Sequence, residues 1–238
     1  MVIEILFSEL GLYYGDYGNI AYLSKCLDNA EFIYTRNKDV PAFVDRKVDM
    51  VYLGSLSENK QLIAIDRLMR YTDILKKRIE EDVIFLFTGN AMEILGKYIE
   101  TENKDKIECL GLYDFYSLRD MNRRRNYLFL GNYNGLDIVG NKSQYSLCYG
   151  NFDKPFIELK KGVGNNEEDK YEGIHDHNLF ATYLLGPFLI LNPLFTQSLI
   201  KMIDPENELA YREEIIKAYN KRVEQMNNPK LIYTLHEH

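Results

Sequence analysis

The segment DVIFLFTGNAMEILGKYIE, residues 82–100, begins with a strand-like apolar run, breaks at a Thr-Gly-Asn turn and continues with an amphipathic helical pattern. Many α/β enzymes display a catalytic nucleophile on such a strand-turn-helix connection. Neither Ser nor Cys stands at this turn. The segment therefore predicts either a nucleophile elbow without its nucleophile or an ordinary connection between a strand and a helix.

The same alternation of strand and helix precedes this segment. Continuous apolar runs predict buried strands, and apolar residues spaced by three and four predict amphipathic helices, the first of them capped by Asn19. The predicted strands cover residues 2–7, 31–35 and 48–53, and the predicted helices cover residues 20–29 and 58–80. Short connections between such elements are typical of a parallel sheet with helices on both of its faces.

The pattern changes after Cys109, where strand-like runs are separated by turns such as NYNG, residues 132–135. This change predicts antiparallel strands appended to the parallel core. An apolar stretch with a Gly-Pro break, residues 178–193, predicts one more strand. Two helices are predicted to follow, and the second begins at Pro205, because proline suits the first turn of a helix.

The composition limits the classes of function. The formal net charge is −7 and the pI is about 5.3, which argues against a general affinity for nucleic acid or anionic membranes. Three widely spaced cysteines form no CxxC pair, so a reducing cytoplasm fits better than a disulfide framework or a zinc site. The chain shows neither a basic leader nor an apolar run of the roughly 20 residues that a membrane span needs. A soluble, unprocessed protein is therefore expected.

Two local clusters could contact charged groups. His175 and His177 could share one face of a strand and a metal ion, but no third ligand is evident, and exposed loop histidines are the simpler interpretation. We therefore expect no metal site. The basic cluster, which is either a solvated loop or a contact for an anion or a partner, consists of Arg119, Arg123, Arg124 and Arg125.

Four segments carry the most specific patterns: LYYGDYGN (residues 12–19), GSLSENKQ (54–61), GNAMEILG (89–96), and a last segment (162–193) with GVGNN and ATYLLGPFLILNP. In this order they resemble motifs of the glutamine amidotransferase domains of the cobyric acid synthase type, especially the glutaminase subunit of bacterial lipid II isoglutaminyl synthase. The corresponding family motifs are Tyr-Gly-Asp-x-Gly-Asn, Gly-Gly-Gly-Gln-Asp-x-x-Gln, Cys-Gly-Gly-Tyr-Gln-x-Leu-Gly, and Gly-x-Gly-Asn-Asn followed by Gly-Thr-Tyr-Leu-His-Gly-Pro.

The resemblance implies a class I amidotransferase fold. Such domains are flavodoxin-like α/β structures with a layered parallel sheet and helices on both faces, to which this chain adds antiparallel strands. We expect an amidotransferase-like domain over residues 1–204 and a C-terminal helical extension of the same domain over residues 205–238. No cofactor is expected.

Members of the family hydrolyse glutamine with a Cys thiolate, a His that deprotonates it and backbone N–H donors that hold the oxyanion. In this chain Gly89 stands at the Cys position and Leu185 at the His position. The loop that should shape the oxyanion hole carries Ser55 and Leu56 in place of glycines, whose side chains restrict the backbone. No catalytic residue is expected, only a vestigial pocket. Its predicted residues are Ser55, Leu56, Thr88, Gly89, Asn90, Glu93 and Leu185.

No other residue replaces the missing groups convincingly. Thr88 precedes the turn and has no evident His to activate it. Glu93 could bind a cation or an amine, but a place on the helix surface near its N-terminus is the simpler expectation. Cys148 is expected to be a small buried apolar residue and not a displaced nucleophile.

Three functions remain open. The leading hypothesis is a non-hydrolytic protein that binds or regulates a Mur-ligase-like synthetase, the partner implied by the cell-wall relatives. The second is an active amidotransferase with an atypical site; it predicts a polar pocket around Ser55, Gly89 and Glu93, and a pocket filled by leucine side chains would count against it. The third is a sensor whose vacated pocket binds a glutamine-like small molecule.

Overall fold

The computed structural model describes residues 1–235 and contains two β-sheets with helices packed around them. The helices are α1 (Asp16–Cys26), α2 (Ala42–Asp45), α3 (Glu58–Met69), α4 (Thr72–Glu80), a 3₁₀ helix (Gly89–Leu95), α5 (Phe188–Leu191), α6 (Pro193–Ile203) and α7 (Arg212–Asn227). The strands are β1 (Val2–Leu6), β2 (Glu31–Thr35), β3 (Met50–Leu53), β4 (Ile84–Thr88), β5 (Tyr98–Glu100), β6 (Lys106–Glu108), β7 (Phe115–Arg119), β8 (Arg125–Tyr133), β9 (Leu136–Gln144), β10 (Ser146–Gly150), β11 (Pro155–Lys161), β12 (Tyr171–Asp176), β13 (Leu179–Thr182) and β14 (Thr234–Leu235).

The core of the larger sheet is parallel, with strand order β2-β1-β3-β4-β13. Every residue of β3 and β4 is buried, as the continuous apolar runs predict. Alternate side chains of β4 enter two different cores: Phe85 and Phe87 pack with α3 and α4, whereas Ile84 and Leu86 pack with α1 and α6. The predicted parallel sheet with helices on both faces is confirmed.

The antiparallel strands fall into two places. In the larger sheet, β12, β11 and β8 extend the sheet beyond β13, and β9 and β14 both pair with β8. The smaller sheet has the order β10-β7-β5-β6, and only its β5–β7 pair is parallel. Strands from residues 98–150 therefore contribute to both sheets, which turn patterns alone do not show.

The helix predicted after the Thr-Gly-Asn turn is wrong in type and length. The segment is a 3₁₀ helix that ends at Leu95, and residues 98–100 form β5. Tertiary hydrogen bonds explain the difference: the carbonyl groups of Ile94 and Leu95 accept from the backbone N–H groups of residues 110, 112 and 113, at 3.0–3.1 Å. Carbonyl groups engaged in this way cannot continue a helical ladder.

The helix predicted for residues 58–80 is two helices. Between α3 and α4 the N–H of Tyr71 bonds to the carbonyl of Leu68 at 2.8 Å, and the hydroxyl of Thr72 bonds to the carbonyl of Met69 at 3.0 Å. These bonds interrupt the i to i−4 ladder. The first helix also differs from its prediction, because it begins at Asp16 after Gly15, and Asn19 lies buried inside it instead of capping it.

The last helix begins at Arg212, not at Pro205. The residues between Pro205 and Arg212 form hydrogen bonds to helices that precede them in the chain. The hydroxyl of Tyr22 in α1 donates to the carbonyl of Ala210 at 2.8 Å, and the N–H of Leu209 donates to Oε1 of Gln197 in α6 at 3.3 Å. Within α7, Tyr219 is buried and donates to the carbonyl of Asp137 at the start of β9, at 2.7 Å. Among residues 1–235, no helix is long and apolar enough to cross a bilayer.

A buried ion pair ties β9 to β12. Lys142 and Glu172 are both fully buried, with Nζ and Oε1 3.4 Å apart. Glu172 also accepts hydrogen bonds from the hydroxyl of Thr182 and the N–H of Tyr183, both at 2.7 Å, and Lys142 donates to the carbonyl of Gly164 at 2.8 Å. Burial lowers the pKa of Lys142, and the Glu172 carboxylate acts against that shift. The pair fixes the chain at the end of β13.

Candidate functional site

The carboxyl ends of β1, β3, β4 and β13 lie at one edge of the parallel sheet, where α/β proteins commonly bind ligands. One cavity at this edge is lined by six of the predicted pocket residues: Ser55, Leu56, Gly89, Asn90, Glu93 and Leu185. The seventh, Thr88, is fully buried. Its hydroxyl lies 3.0 Å from the Tyr52 hydroxyl and 3.1 Å from Oδ1 of Asp16. The structure thus brings these residues together around the turn after β4.

Gly89 is enclosed on the side where a nucleophile would project. Its φ is +60°, in the left-handed region that favours glycine. A Cβ atom at this position would lie 2.7 Å from Cβ of Ser55 and 3.3 Å from Cδ2 of Leu185. Any side chain here therefore requires Ser55 to move. The Ser that replaces a family glycine occupies the space that a family cysteine would need.

Two backbone donors of the 54–56 loop, the N–H groups of Ser55 and Leu56, already have partners. The N–H of Ser55 donates to Oδ2 of Asp16 at 2.5 Å, and the Ser55 hydroxyl donates to the same atom at 2.6 Å. The N–H of Leu56 donates to Oδ1 of Asn90 at 2.9 Å, and Nδ2 of Asn90 donates back to the Leu56 carbonyl at 2.9 Å. Asn90 stands where the family motif has glycine, so its side chain closes a loop that would otherwise present free N–H groups to an oxyanion.

Asp16 is the centre of this polar cluster. Its carboxylate accepts from Ser55 and Thr88 and from Nδ2 of Asn19, the last at 3.2 Å, and the residue is fully buried. Burial raises the pKa of this carboxyl above its ordinary value, and the hydrogen bonds from Ser55 oppose the shift. Asp16 lies inside the LYYGDYGN motif, so the sequence marked its position but not this role.

Asp16 should therefore make stability depend on pH in the opposite sense to a paired surface carboxylate. Because its pKa in the folded state is raised, its contribution to stability is complete below the ordinary value of 3.8 and is lost as the pH rises through the folded-state pKa. We expect wild type to gain stability relative to Asp16→Asn as the pH falls through that window. Urea denaturation of both proteins across a pH series measures the difference, and a flat or falling difference would contradict the assignment.

Glu93 and Arg119 form a second buried ion pair beside the cavity. Nη2 of Arg119 donates to Oε2 of Glu93 at 2.7 Å and also to Oε1 of Gln61, and the Tyr183 hydroxyl donates to Oε1 of Glu93. Burial, followed by the nearby Glu93 charge, raises the pKa of Tyr183 well above its ordinary value of 10.0. Both carboxylate oxygens of Glu93 are thus engaged inside the protein.

These contacts correct two expectations. Glu93 does not lie on a helix surface, because its side chain is only 2% exposed. The basic cluster is not a solvated loop throughout: Arg119 and Arg125 are buried in β7 and β8, whereas Arg124 donates to Ser143 and to the Tyr14 hydroxyl at 2.9 and 2.8 Å. Sequence spacing offered no signal for the Glu93–Arg119 pair, since its members lie on different elements.

Leucine side chains reduce the remaining space. Leu56 and Leu185 are both buried and both line the cavity. The cavity has a volume of about 20 Å³, which is room for about one water molecule. It is far smaller than glutamine. The small volume and the two leucines count against an atypical active site, although Ser55, Gly89 and Glu93 do meet at the cavity and most of its other lining residues are polar.

The other predicted candidates lie apart from this cavity. Cys148 is fully buried, its Sγ lies 3.2 Å from the Ser117 hydroxyl, and burial raises the pKa of its thiol. His175 stacks on Phe180 at 4.5 Å between ring centroids, while His177 lies beyond the end of β12, with Nδ1 3.1 Å from Oδ1 of Asp82. The two histidines thus have separate partners. Within residues 1–235, no group of three or more His, Cys, Asp or Glu is placed to hold a metal ion.

Comparison with known proteins agrees with this architecture. The family model described as the CobB/CobQ-like glutamine amidotransferase domain matches residues 2–192. The chain is 29% identical to the lipid II isoglutaminyl synthase (glutamine-hydrolyzing) subunit GatD of Staphylococcus aureus strain N315, over 88% of this chain and 92% of the relative. It is 27% identical to the protein of the same name from Streptococcus pneumoniae strain ATCC BAA-255 / R6, over 89% of this chain and 85% of the relative.

A solved structure supports the same fold. A crystal structure of a glutamine amidotransferase superposes with a TM-score of 0.53 and 12% identity, covering 84% of this chain and 98% of its own. At that identity the similarity concerns the fold alone, which is the class I amidotransferase type. The family match extends from β1 through the end of α5 and includes the four motif segments except Pro193, the last residue of the fourth. The chain belongs to the CobB/CobQ-like glutamine amidotransferase domain family.

Proposed function

We propose that this chain is a cytoplasmic amidotransferase-like subunit that does not hydrolyse glutamine and that binds or regulates a Mur-ligase-like synthetase. The similarity to two GatD subunits of cell-wall synthases supports the choice of partner. The main evidence for the loss of hydrolysis is at Gly89. Glycine has no side chain to attack a substrate, and Ser55 occupies the space that a side chain at this position would need. A covalent nucleophile is the first requirement of this chemistry.

The remaining machinery supports the same proposal. Leu185 offers no general base at the His position, and the N–H groups of Ser55 and Leu56 are bonded within the protein. The alternative, an active amidotransferase with an atypical site, would need a polar group free to react. Glu93 is held by Arg119 and Tyr183, and Cys148 is buried as a neutral thiol outside the cavity.

A glutaminase assay tests the proposal directly. Purified protein, alone and with the candidate synthetase, is expected to release no ammonia from glutamine above the buffer rate, because no Cys or His among residues 1–235 lines the cavity at the turn after β4. A catalytically competent GatD relative serves as the positive control. Turnover that survives both Thr88→Ala and Cys148→Ala would overturn the proposal, since it would require an attacking group elsewhere.

Adding glutamine to the purified protein distinguishes a scaffold for the synthetase from a sensor of a glutamine-like small molecule. A cavity of about 20 Å³ leaves no room for a glutamine-like small molecule, so glutamine should not raise the melting temperature of the protein. A ligand that binds only the folded state at 100 times its Kd would stabilise it by about 2.7 kcal/mol. A saturable shift with glutamine would favour the sensor over the scaffold.

A candidate surface for the partner lies beside the closed cavity. Tyr13, Tyr14 and Tyr17 are 38%, 50% and 66% exposed around the loop that leads into α1, and exposed tyrosines are enriched in protein interfaces. Tyr14 also lines the cavity. We therefore expect the synthetase to contact this group of tyrosines.

Substitution at the exposed end of the group tests the surface. Tyr17→Ala should weaken copurification with the synthetase, with a loss of about 2 kcal/mol, or roughly 30-fold in Kd, if it is a central contact. Tyr34→Ala is the matched control, because Tyr34 is 52% exposed on β2, the edge strand of the parallel core. Equal binding by both variants would remove this surface from the proposal.

A further inference from the structure

A second cavity lies against the four-stranded sheet, and it shares no lining residue with the cavity around Gly89. Its volume is about 240 Å³. It is bounded by the turn between β5 and β6, by the end of β7, by the first residue of β8 and by β10. Its size suits a small molecule far better than the cavity around Gly89 does.

The strongest chemical feature of this cavity is Arg125, which is only 8% exposed. Its Nη1 reaches only two carbonyl oxygens, those of Arg123 at 3.4 Å and Tyr145 at 3.3 Å. Within residues 1–235, its Nε has no hydrogen-bond partner, and no carboxylate forms an ion pair with it. Burying a guanidinium without an anion to balance its charge is unfavourable. Arg125 therefore has an unfilled requirement for a negative group.

A second polar atom at the cavity is also unsatisfied. The hydroxyl of Thr101 is buried and has no partner among the described residues, and Thr101 lines the same cavity. Gln144 lies opposite Arg125 in the β8–β9 pair but lines the cavity around Gly89, and its Oε1 also has no partner among residues 1–235. An amide oxygen could satisfy the Nε donor, but it is neutral and would leave the guanidinium charge unbalanced. The charge requires an anion.

The lining charges restrict the kind of anion. Glu100, Glu102 and Asp120 line the cavity together with Lys104, Arg119 and Arg125. Because these formal charges balance, the cavity favours a ligand that carries both a carboxylate and an ammonium group over phosphate or any polyanion. Leu118, Leu147 and Tyr149 supply an apolar surface for the rest of the molecule. A ligand that fits this cavity therefore needs a single carboxylate, an ammonium group and an apolar portion.

We propose that this cavity binds a small free amino acid with an apolar side chain. Arg125 and the Thr101 hydroxyl receive the carboxylate, the Asp120 side chain attracts the ammonium group, and the apolar wall contacts the side chain. The site does not depend on the proposed function, so failure of one leaves the other standing.

Titration calorimetry and thermal shift with L-leucine on the full chain test the site. Leucine is expected to bind and to stabilise the protein, 4-methylpentanoate to bind more weakly because it lacks the ammonium group, and 3-methylbutylamine and inorganic phosphate not to bind. Absence of leucine binding at millimolar concentration, or equal binding of the amine, would overturn the proposal.

Variants assign the binding to this cavity. Thr101→Val should weaken leucine binding about 3- to 10-fold, and Arg125→Gln about 10-fold or more, from the usual values of neutral and charged hydrogen bonds. Asp120→Asn should weaken leucine but not 4-methylpentanoate. Arg124→Gln, next to Arg125 but bonded to Tyr14 and Ser143, is the control and should bind as wild type does. If Arg125→Gln does not fold, Thr101→Val and Asp120→Asn still test whether leucine binds in this cavity. Unchanged leucine affinity in both variants would contradict the proposed site.

Discussion

Glu172→Ala is expected to lower the free energy of unfolding by about 3–5 kcal/mol, the usual loss when one partner of a buried ion pair is removed. The variant leaves the Lys142 ammonium group buried without its carboxylate. It also removes the acceptor for the Thr182 hydroxyl and the Tyr183 N–H. Urea denaturation at pH 7, with the slope checked for two-state behaviour, gives the change.

The double variant Lys142→Met, Glu172→Gln provides the matched control. It removes both charges and keeps most of the volume, so its loss of stability should be smaller than that of Glu172→Ala. An exposed pair, Arg70 and Asp66 at 3.4 Å, should contribute no more than about 1 kcal/mol when Asp66 is replaced by Ala. A loss below about 1 kcal/mol for Glu172→Ala would show that the buried pair does not hold the end of β13.

Gly89→Cys is expected to destabilise the fold through two separate effects. A non-glycine residue at φ +60° costs about 1–3 kcal/mol, and the overlap of its Cβ with Ser55 adds about 1–3 kcal/mol of overpacking. Restoring the family nucleophile thus makes this protein less stable. The free energy of unfolding, measured by urea denaturation, checks the sum.

Two further variants separate the effects. Gly111 has φ +63° and nothing within 4 Å of an added Cβ, so Gly111→Cys should show the backbone effect alone. In the Ser55→Gly background, Gly89→Cys should lose less stability than in wild type, with a coupling of about 0.5–3 kcal/mol between the two sites. Additive changes at residues 55 and 89 would mean that Ser55 does not close the nucleophile position. Neither Cys variant should hydrolyse glutamine while Leu185 remains, because no histidine among residues 1–235 lines the cavity around Gly89.

Local patterns predicted much of the site because its residues belong to loops that directly follow strands. Ser55 follows the apolar run of β3, and Gly89 and Asn90 follow that of β4. The motif residues around these runs predict that all three lie at the same edge of the sheet, where the structure has them. What the pocket residues contact was not predictable in the same way. The partners of Glu93 are Arg119 on β7 and Tyr183 after β13, and the partner of the Leu56 N–H is the Asn90 side chain.

The amino-acid sequence by itself determined the parallel core and the position of the turn after β4, because these depend on short-range periodicity. It also determined the family and the replacement of Cys and His by Gly89 and Leu185, because these depend on residue identity at motif positions. Only the tertiary structure decided that residues 89–95 form a 3₁₀ helix, that the last helix begins at Arg212, and that Arg119 and Arg125 are buried. Each of these depends on hydrogen bonds or burial between segments far apart in the chain, and such interactions exist only after the strands have paired.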